Sequence, residues 1–355
     1  MRRVFTKDIW LSVTVAVGLI ALGLFLGWAN NKTIFIAPHD GFHYVVEPHN
    51  PLSYFASWDA PDYLSIARHG YTSAFWINWF PLYPLAIHAL DYAIPSPLIS
   101  AFLISWASLV GAIYFYIKIV RRLFKIIDAL EPLRAVVFFV LFPTGVFLLA
   151  PFTESLYAFL ALGAVYYALQ KRYLAAGLLS LLCTATHVTG MAVVILVALI
   201  LLEEKVQLSR VLVAAALGSL GLVSYMVYLA GAYHDPLGFL TAQKDYHEWT
   251  HHGYLNLITS ISMMNLILIV LLVASGIYWW KRRRSFAIYS LLYLAIPLFG
   301  RQYGGFDRYV LMVFPIQFMF YAVYRERRLY QPIIILFAIA WTYYLLQYSA
   351  GYIGS

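Results

Sequence analysis

Apolar runs recur along almost the whole chain, and that pattern leaves few folds open. They cover roughly residues 9–28, 97–117, 134–151, 155–170, 173–187, 189–202, 210–230, 259–280, 286–299, 309–324 and 332–349. A bilayer core takes about 20 residues of helix to cross. Inside it every backbone polar group must be satisfied within the protein, so only helices and closed barrels remain. The runs lack the two-residue alternation of barrel strands. An all-α polytopic membrane protein of about 11 transmembrane helices is expected, in keeping with 63% apolar and 11% charged residues.

Basic residues orient this arrangement. With Arg2, Arg3 and Lys7 in the cytoplasm and the sides alternating, 19 of the 24 Lys and Arg residues fall on cytoplasmic ends. Such sorting is the positive-inside pattern, and it explains the net charge of +8 without any nucleic acid. The N-terminus is then cytoplasmic and the C-terminus extracytoplasmic. The first run is long enough to be a retained signal anchor. Segment 80–94 is too short and polar to cross, and is expected as a juxtamembrane helix on the outer side. The single Cys183 excludes an intramolecular disulfide.

Carboxylates sort the opposite way. Asp40, Asp59, Asp62, Asp91, Glu154, Asp235 and Asp307 all fall outside, chiefly in the first extracytoplasmic loop, 30–96, and near a second, 231–257. The densest stretch is Trp58-Asp59-Ala60-Pro61-Asp62-Tyr63, running to Arg68-His69-Gly70-Tyr71 and closed by Phe80-Pro81-Leu82-Tyr83-Pro84. Pro61 suits a first helical turn and Gly70 a helix end, which predicts a short helix over 61–69. Asp59 stands at or just before its start, where a capping role competes with a chemical one.

These residues resemble the PIG-V type mannosyltransferases (GPI mannosyltransferase II and its prokaryotic relatives), within the GT-C superfamily of membrane glycosyltransferases. Phe152-Thr153-Glu154-Ser155-Leu156-Tyr157, Ala185-Thr186-His187-Val188-Thr189-Gly190, and Arg308-Tyr309 through Phe314-Pro315 extend the likeness in the same order. Two departures stand out. His187 occupies a position where relatives often carry arginine, and Pro61-Asp62 replaces bulkier residues.

The resemblance implies a single GT-C transmembrane domain over 1–355. Its activity would be transfer of mannose from a polyprenyl- or dolichyl-phosphate carrier to a lipid or glycan acceptor on the extracytoplasmic face. It places the catalytic carboxylate at Asp59. Inverting transfer needs one general base for the acceptor hydroxyl. The departing lipid phosphate needs a cation, for which guanidinium geometry is suited. Arg308 is the leading candidate, followed by Arg301 and Arg68. Asp40, Asp62, His69, Tyr71, Glu154 and His187 are candidates for substrate binding, each with a structural alternative such as a turn, a cap or an interhelical hydrogen bond. No metal or other cofactor is expected. Short loops favour a prokaryotic plasma membrane over the endoplasmic reticulum.

One motif points elsewhere. His247-Glu248-Trp249-Thr250-His251 matches the zinc-protease pattern H-E-x-x-H. Gly253 follows at once, which disfavours a continuous ligand helix, and a third ligand is hard to find. A transporter without covalent chemistry is a further alternative, but the polar residues gather at one face instead of along a path.

Overall fold

The computed structural model describes residues 2–33, 50–128, 130–240, 242, 261–296, 305–327 and 330–350. Every regular element among the described residues is helical: α1 (Arg2–Thr33), α2 (Asp59–His69), α3 (Leu82–Asp91), α4 (Pro97–Phe124), α5 (Glu131–Val140), α6 (Glu154–Leu169), α7 (Tyr173–Thr186), α8 (Gly190–Glu203), α9 (Leu208–Tyr233), α10 (Met263–Trp280), α11 (Arg284–Leu292), α12 (Phe306–Leu311), α13 (Phe314–Arg327) and α14 (Tyr330–Ser349). Short 3₁₀ turns lie at Pro51–Phe55, Ala74–Asn78 and Gly145–Leu148.

Five of these helices are long and apolar enough to cross a membrane: Thr6–Asn30 within α1, then α4, α9, α10 and α14. The apolar helices α6, α7 and α8 are shorter. Helix length therefore carries five of the expected spans. Three of the apolar runs are not continuous helices, among them 286–299, which leaves the helix at Tyr293 and Leu294. The run at 134–151 breaks after Val140, before Pro143, and resumes as the 3₁₀ turn at Gly145. The run at 309–324 breaks at Met312 and Val313, with Pro315 in the first turn of α13. Proline lacks the N–H that a helix interior needs and is tolerated in a first turn. Segment 80–94 forms α3, whose ten residues rise about 15 Å, half a bilayer core.

The chain sorts into two compact units, the first comprising 1–64, 87–162 and 317–355, the second 65–86 and 163–316. In the first, α1 packs on α4 and α14, and α4 on α5. Fully buried Asp8 binds α1 to α4 through Lys118 at 2.8 Å and Arg121 at 3.0 Å. Near the other end of α1, Gly27 leaves room for the Phe55 ring. Tyr116 stacks on Phe139 at 5.1 Å and lies 4.9 Å from Phe318, within the aromatic core.

In the second unit, α7, α8 and α9 pack on one another, α11 packs on α8 and α10, and α10 meets α12. The approach of α7 to α9 depends on small residues, as is usual between helices in lipid. Thr184 Oγ1 donates to the Gly218 carbonyl at 2.7 Å. A Cβ at Gly221 would overlap the Leu181 carbonyl oxygen and lie 2.5 Å from Thr184 Oγ1.

Candidate active site

In the first unit, the motif helix starts from a strained turn. Trp58 has φ +59°, a left-handed conformation costing roughly 1–2 kcal/mol for a non-glycine residue. Asp59 follows as the first residue of α2, two positions earlier than the sequence predicts, so it lies inside the first turn together with Asp62. The segment before it is anchored on the unit's core. Tyr348 Oη of α14 donates to the Phe55 carbonyl at 2.7 Å, and the Phe55 ring fills the space left by Gly27. Asp59 and Asp62 are both part-exposed, while Ala60, Tyr63 and Leu64 are buried. Two acids thus stay accessible on a helix whose apolar side is locked down.

The Phe152-Thr153-Glu154 stretch belongs to the same unit. Tyr63 Oη lies 3.5 Å from Thr153 Oγ1. Ser105 donates to the Phe152 carbonyl at 3.2 Å, Trp106 to that of Leu149 at 3.0 Å, and Ser155 to that of Leu148 at 2.7 Å. Glu154, at 7% exposure, opens α6 and is one of two buried carboxylates among the described residues, the other being Asp8. A carboxylate is seldom held so deep without a purpose or a partner.

In the second unit, α2 ends where Gly70 takes φ +70°, and the chain then runs through the 71–80 segment. Three tyrosine hydroxyls brace that segment: Tyr71 donates to the Trp79 carbonyl at 2.5 Å, Tyr233 to that of Tyr71 at 2.6 Å, and Tyr225 to that of Ile77 at 2.7 Å. Tyr71, expected to bind substrate, spends its hydroxyl on this brace. Tyr225 and Tyr233 were not singled out by the sequence, since nothing distinguishes them from other aromatics of an apolar helix.

Phe80, at the end of the segment, brings the later motifs into register. It stacks on His187, with ring centroids 6.2 Å apart and planes at 22°, and lies 4.8 Å from Tyr225 and 5.5 Å from Phe239. His187 lies 5.1 Å from the Tyr309 ring on its other contact. α7 ends at Thr186, so His187 sits in the turn before α8 and outside both helices. Its Nδ1 accepts from the Thr189 backbone N–H at 3.1 Å, which assigns the ring proton of the neutral form to Nε2. Burial first, then the charge of Arg308, lower its pKa to about 4. The imidazole is therefore a neutral donor at ordinary pH.

Arg308 lies in α12, whose entry is the left-handed Gly305, φ +65°. The guanidinium folds over that glycine, with Nη2 3.3 Å and Nε 3.4 Å from where a Cβ would stand. Asp307 Oδ1 accepts from the Arg308 backbone N–H at 2.9 Å. Arg68 is placed differently: nine residues along α2 from Asp59, it lies about half a turn around the helix and about 14 Å along it. Arg68 and His69 are both exposed at that helix end. Asp40, Arg301 and the His247, Glu248 and His251 motif lie outside the described residues. Among those described, no group of three metal-ligating side chains converges.

Five apolar helices of spanning length mark a polytopic helical membrane protein. The family model Mannosyltransferase (PIG-V) matches residues 45–249, more than half of the sequence, and the chain belongs to that family. None of the curated proteins compared with it matches. The matched region contains Asp59, Asp62, Arg68, His69, Tyr71, Glu154 and His187, while Arg308 lies beyond it.

Proposed function

We propose that the protein is a GT-C glycosyltransferase that moves mannose from a polyprenyl- or dolichyl-phosphate carrier to a hydroxyl of a lipid or glycan acceptor, with inversion and on the extracytoplasmic face. The observation that carries this reading is the membership of the PIG-V family across the segment holding Asp59. In the proposed step the acceptor oxygen attacks the anomeric carbon as the bond to phosphate breaks. Asp59 takes the hydroxyl proton, and the carrier phosphate leaves with the bonding electrons. The part-exposed place of Asp59 in a first helical turn supports this role, because the carboxylate is held yet reachable.

Arg308 is assigned to the departing phosphate, since guanidinium matches two phosphate oxygens at once. The opposed and exposed position of Arg68 makes it the weaker candidate for work beside Asp59. His187, neutral and with Nε2–H as a donor, is assigned to a hydroxyl or phosphate oxygen of substrate. A prokaryotic plasma membrane, with the N-terminus cytoplasmic, is the proposed setting. The test is incubation of the purified protein with radiolabelled polyprenyl-phosphate-mannose and candidate lipid or glycan acceptors. Transfer that survives chelation and is lost in Asp59→Asn supports the reading. Peptide cleavage with tightly held stoichiometric zinc, and no transfer, would reject it.

A further inference from the structure

The second unit carries a charged cavity of about 660 Å³, lined by Glu203, Glu204, Trp280, Lys281, Arg282, Arg283 and Arg284. It lies at the end of α8 away from His187, about 20 Å along that helix. The mannosyl-transfer reading uses none of these residues. Four consecutive cations follow directly on α10, one of the helices long enough to cross a membrane. Trp280, half exposed, marks the helix end as an aromatic at a lipid–water boundary does.

The two carboxylates are already spent on the cavity wall. Glu203 accepts from the Ser285 backbone N–H and from its hydroxyl, both at 2.7 Å, and meets Arg283 Nε at 3.1 Å. Glu204 takes Arg283 Nη2 at 2.9 Å. Arg283 is thus a structural tie between α8 and α11. Arg282 lies over Tyr278, 4.1 Å from the ring centroid, and donates to the Tyr278 carbonyl at 3.1 Å. Lys281 and Arg284 are exposed and meet no carboxylate among the described residues. A positive-inside signal needs only net charge. Here the charge is arranged around a hollow, one arginine is neutralised in place, and the others line the rim.

We infer that this cavity binds the phosphodiester headgroup of an anionic phospholipid, with Lys281, Arg282 and Arg284 as the phosphate ligands and Trp280 against the upper acyl region. Basic pockets at membrane helix ends hold such headgroups through charge and hydrogen bonds together. The site is independent of the glycosyl-transfer assignment, and it holds whichever face of the membrane it occupies.

The experiment measures thermal unfolding of the full-length protein in neutral detergent, with added phosphatidylglycerol, phosphatidylcholine or inorganic phosphate. Phosphatidylglycerol should raise Tm by several degrees, and phosphatidylcholine or inorganic phosphate by much less. Lys281→Ser with Arg284→Ser should abolish the difference between the lipids, while Lys171→Ser with Arg172→Ser, another exposed basic turn of the same unit, should keep it. Lys281→Ser alone should lose about half, and it serves if the double variant does not fold. The proposal is overturned if the Lys281 variants retain the full shift, if the Lys171 control loses as much, or if inorganic phosphate matches the lipid.

Discussion

Phe80 and His187 stack nearly parallel, 6.2 Å apart at 22°, joining the end of the first motif to the third across a long stretch of chain. Tyr309 closes on the same imidazole at 5.1 Å, so residues from three separate sequence motifs meet at one ring within the second unit. His187 is thus packed between aromatics, an environment that suits a neutral planar ring.

Asp59→Asn should lower kcat for mannosyl transfer by about 10²–10⁴-fold, the usual contribution of a general base. Asp62→Asn, on the same accessible turn, should cost far less. Both proteins should unfold at the wild-type temperature. Near-normal turnover by folded Asp59→Asn would remove Asp59 from the chemistry.

Arg308→Lys keeps the charge and loses the planar fork. KM for the lipid-phosphate donor should rise by about tenfold, which corresponds to about 1.4 kcal/mol, and KM for the acceptor should change little. Steady-state kinetics with each substrate varied in turn decide this, and an equal loss on both sides would reject the phosphate assignment.

His187 has a pKa lowered to about 4 in the fold, against an ordinary value near 6.5. Protonation then favours the unfolded chain. Its contribution to stability is complete above pH 6.5 and drains away as pH falls toward 4. His187→Asn should flatten that part of the curve, so its Tm should drop less than the wild type between pH 7 and 5. Parallel Tm curves for the two proteins would contradict the assignment.

Gly221→Ala should destabilise the protein by about 1–3 kcal/mol, because an added methyl group strikes backbone of α7 that cannot move aside alone. Gly231→Ala, on the same α9 with open space around it, should be neutral or stabilising by up to about 1 kcal/mol. Thermal unfolding of the two variants compares the close helix contact with simple helix propensity. Equal effects would argue that α7 and α9 are not in tight contact.

Asp8→Asn removes the carboxylate between Lys118 and Arg121 and leaves two cations facing a buried amide. A loss of about 3–5 kcal/mol is expected, as when one partner of a buried ion pair is deleted. Lys118→Met with Asp8→Asn should recover part of it. A wild-type unfolding temperature in Asp8→Asn would show that the pair contributes nothing.

Much of this molecule is written in local chemistry. Apolar composition, the short helix that ends before Gly70 and the family likeness around Trp58-Asp59 all depend on neighbours in the chain, and a one-dimensional reading reaches them. Pro143 and Pro315 were equally visible as breaks, but mean hydropathy smooths over them, so these two runs read as unbroken helices. Other features needed the folded molecule. The left-handed Trp58, the tyrosine hydroxyls of α9 that brace the 71–80 segment, and the rings around His187 involve residues whose types are common throughout this aromatic-rich chain. Which of many tyrosines meets which carbonyl is decided by helix packing, where steric fit and unpaired backbone groups select partners that sequence spacing does not encode.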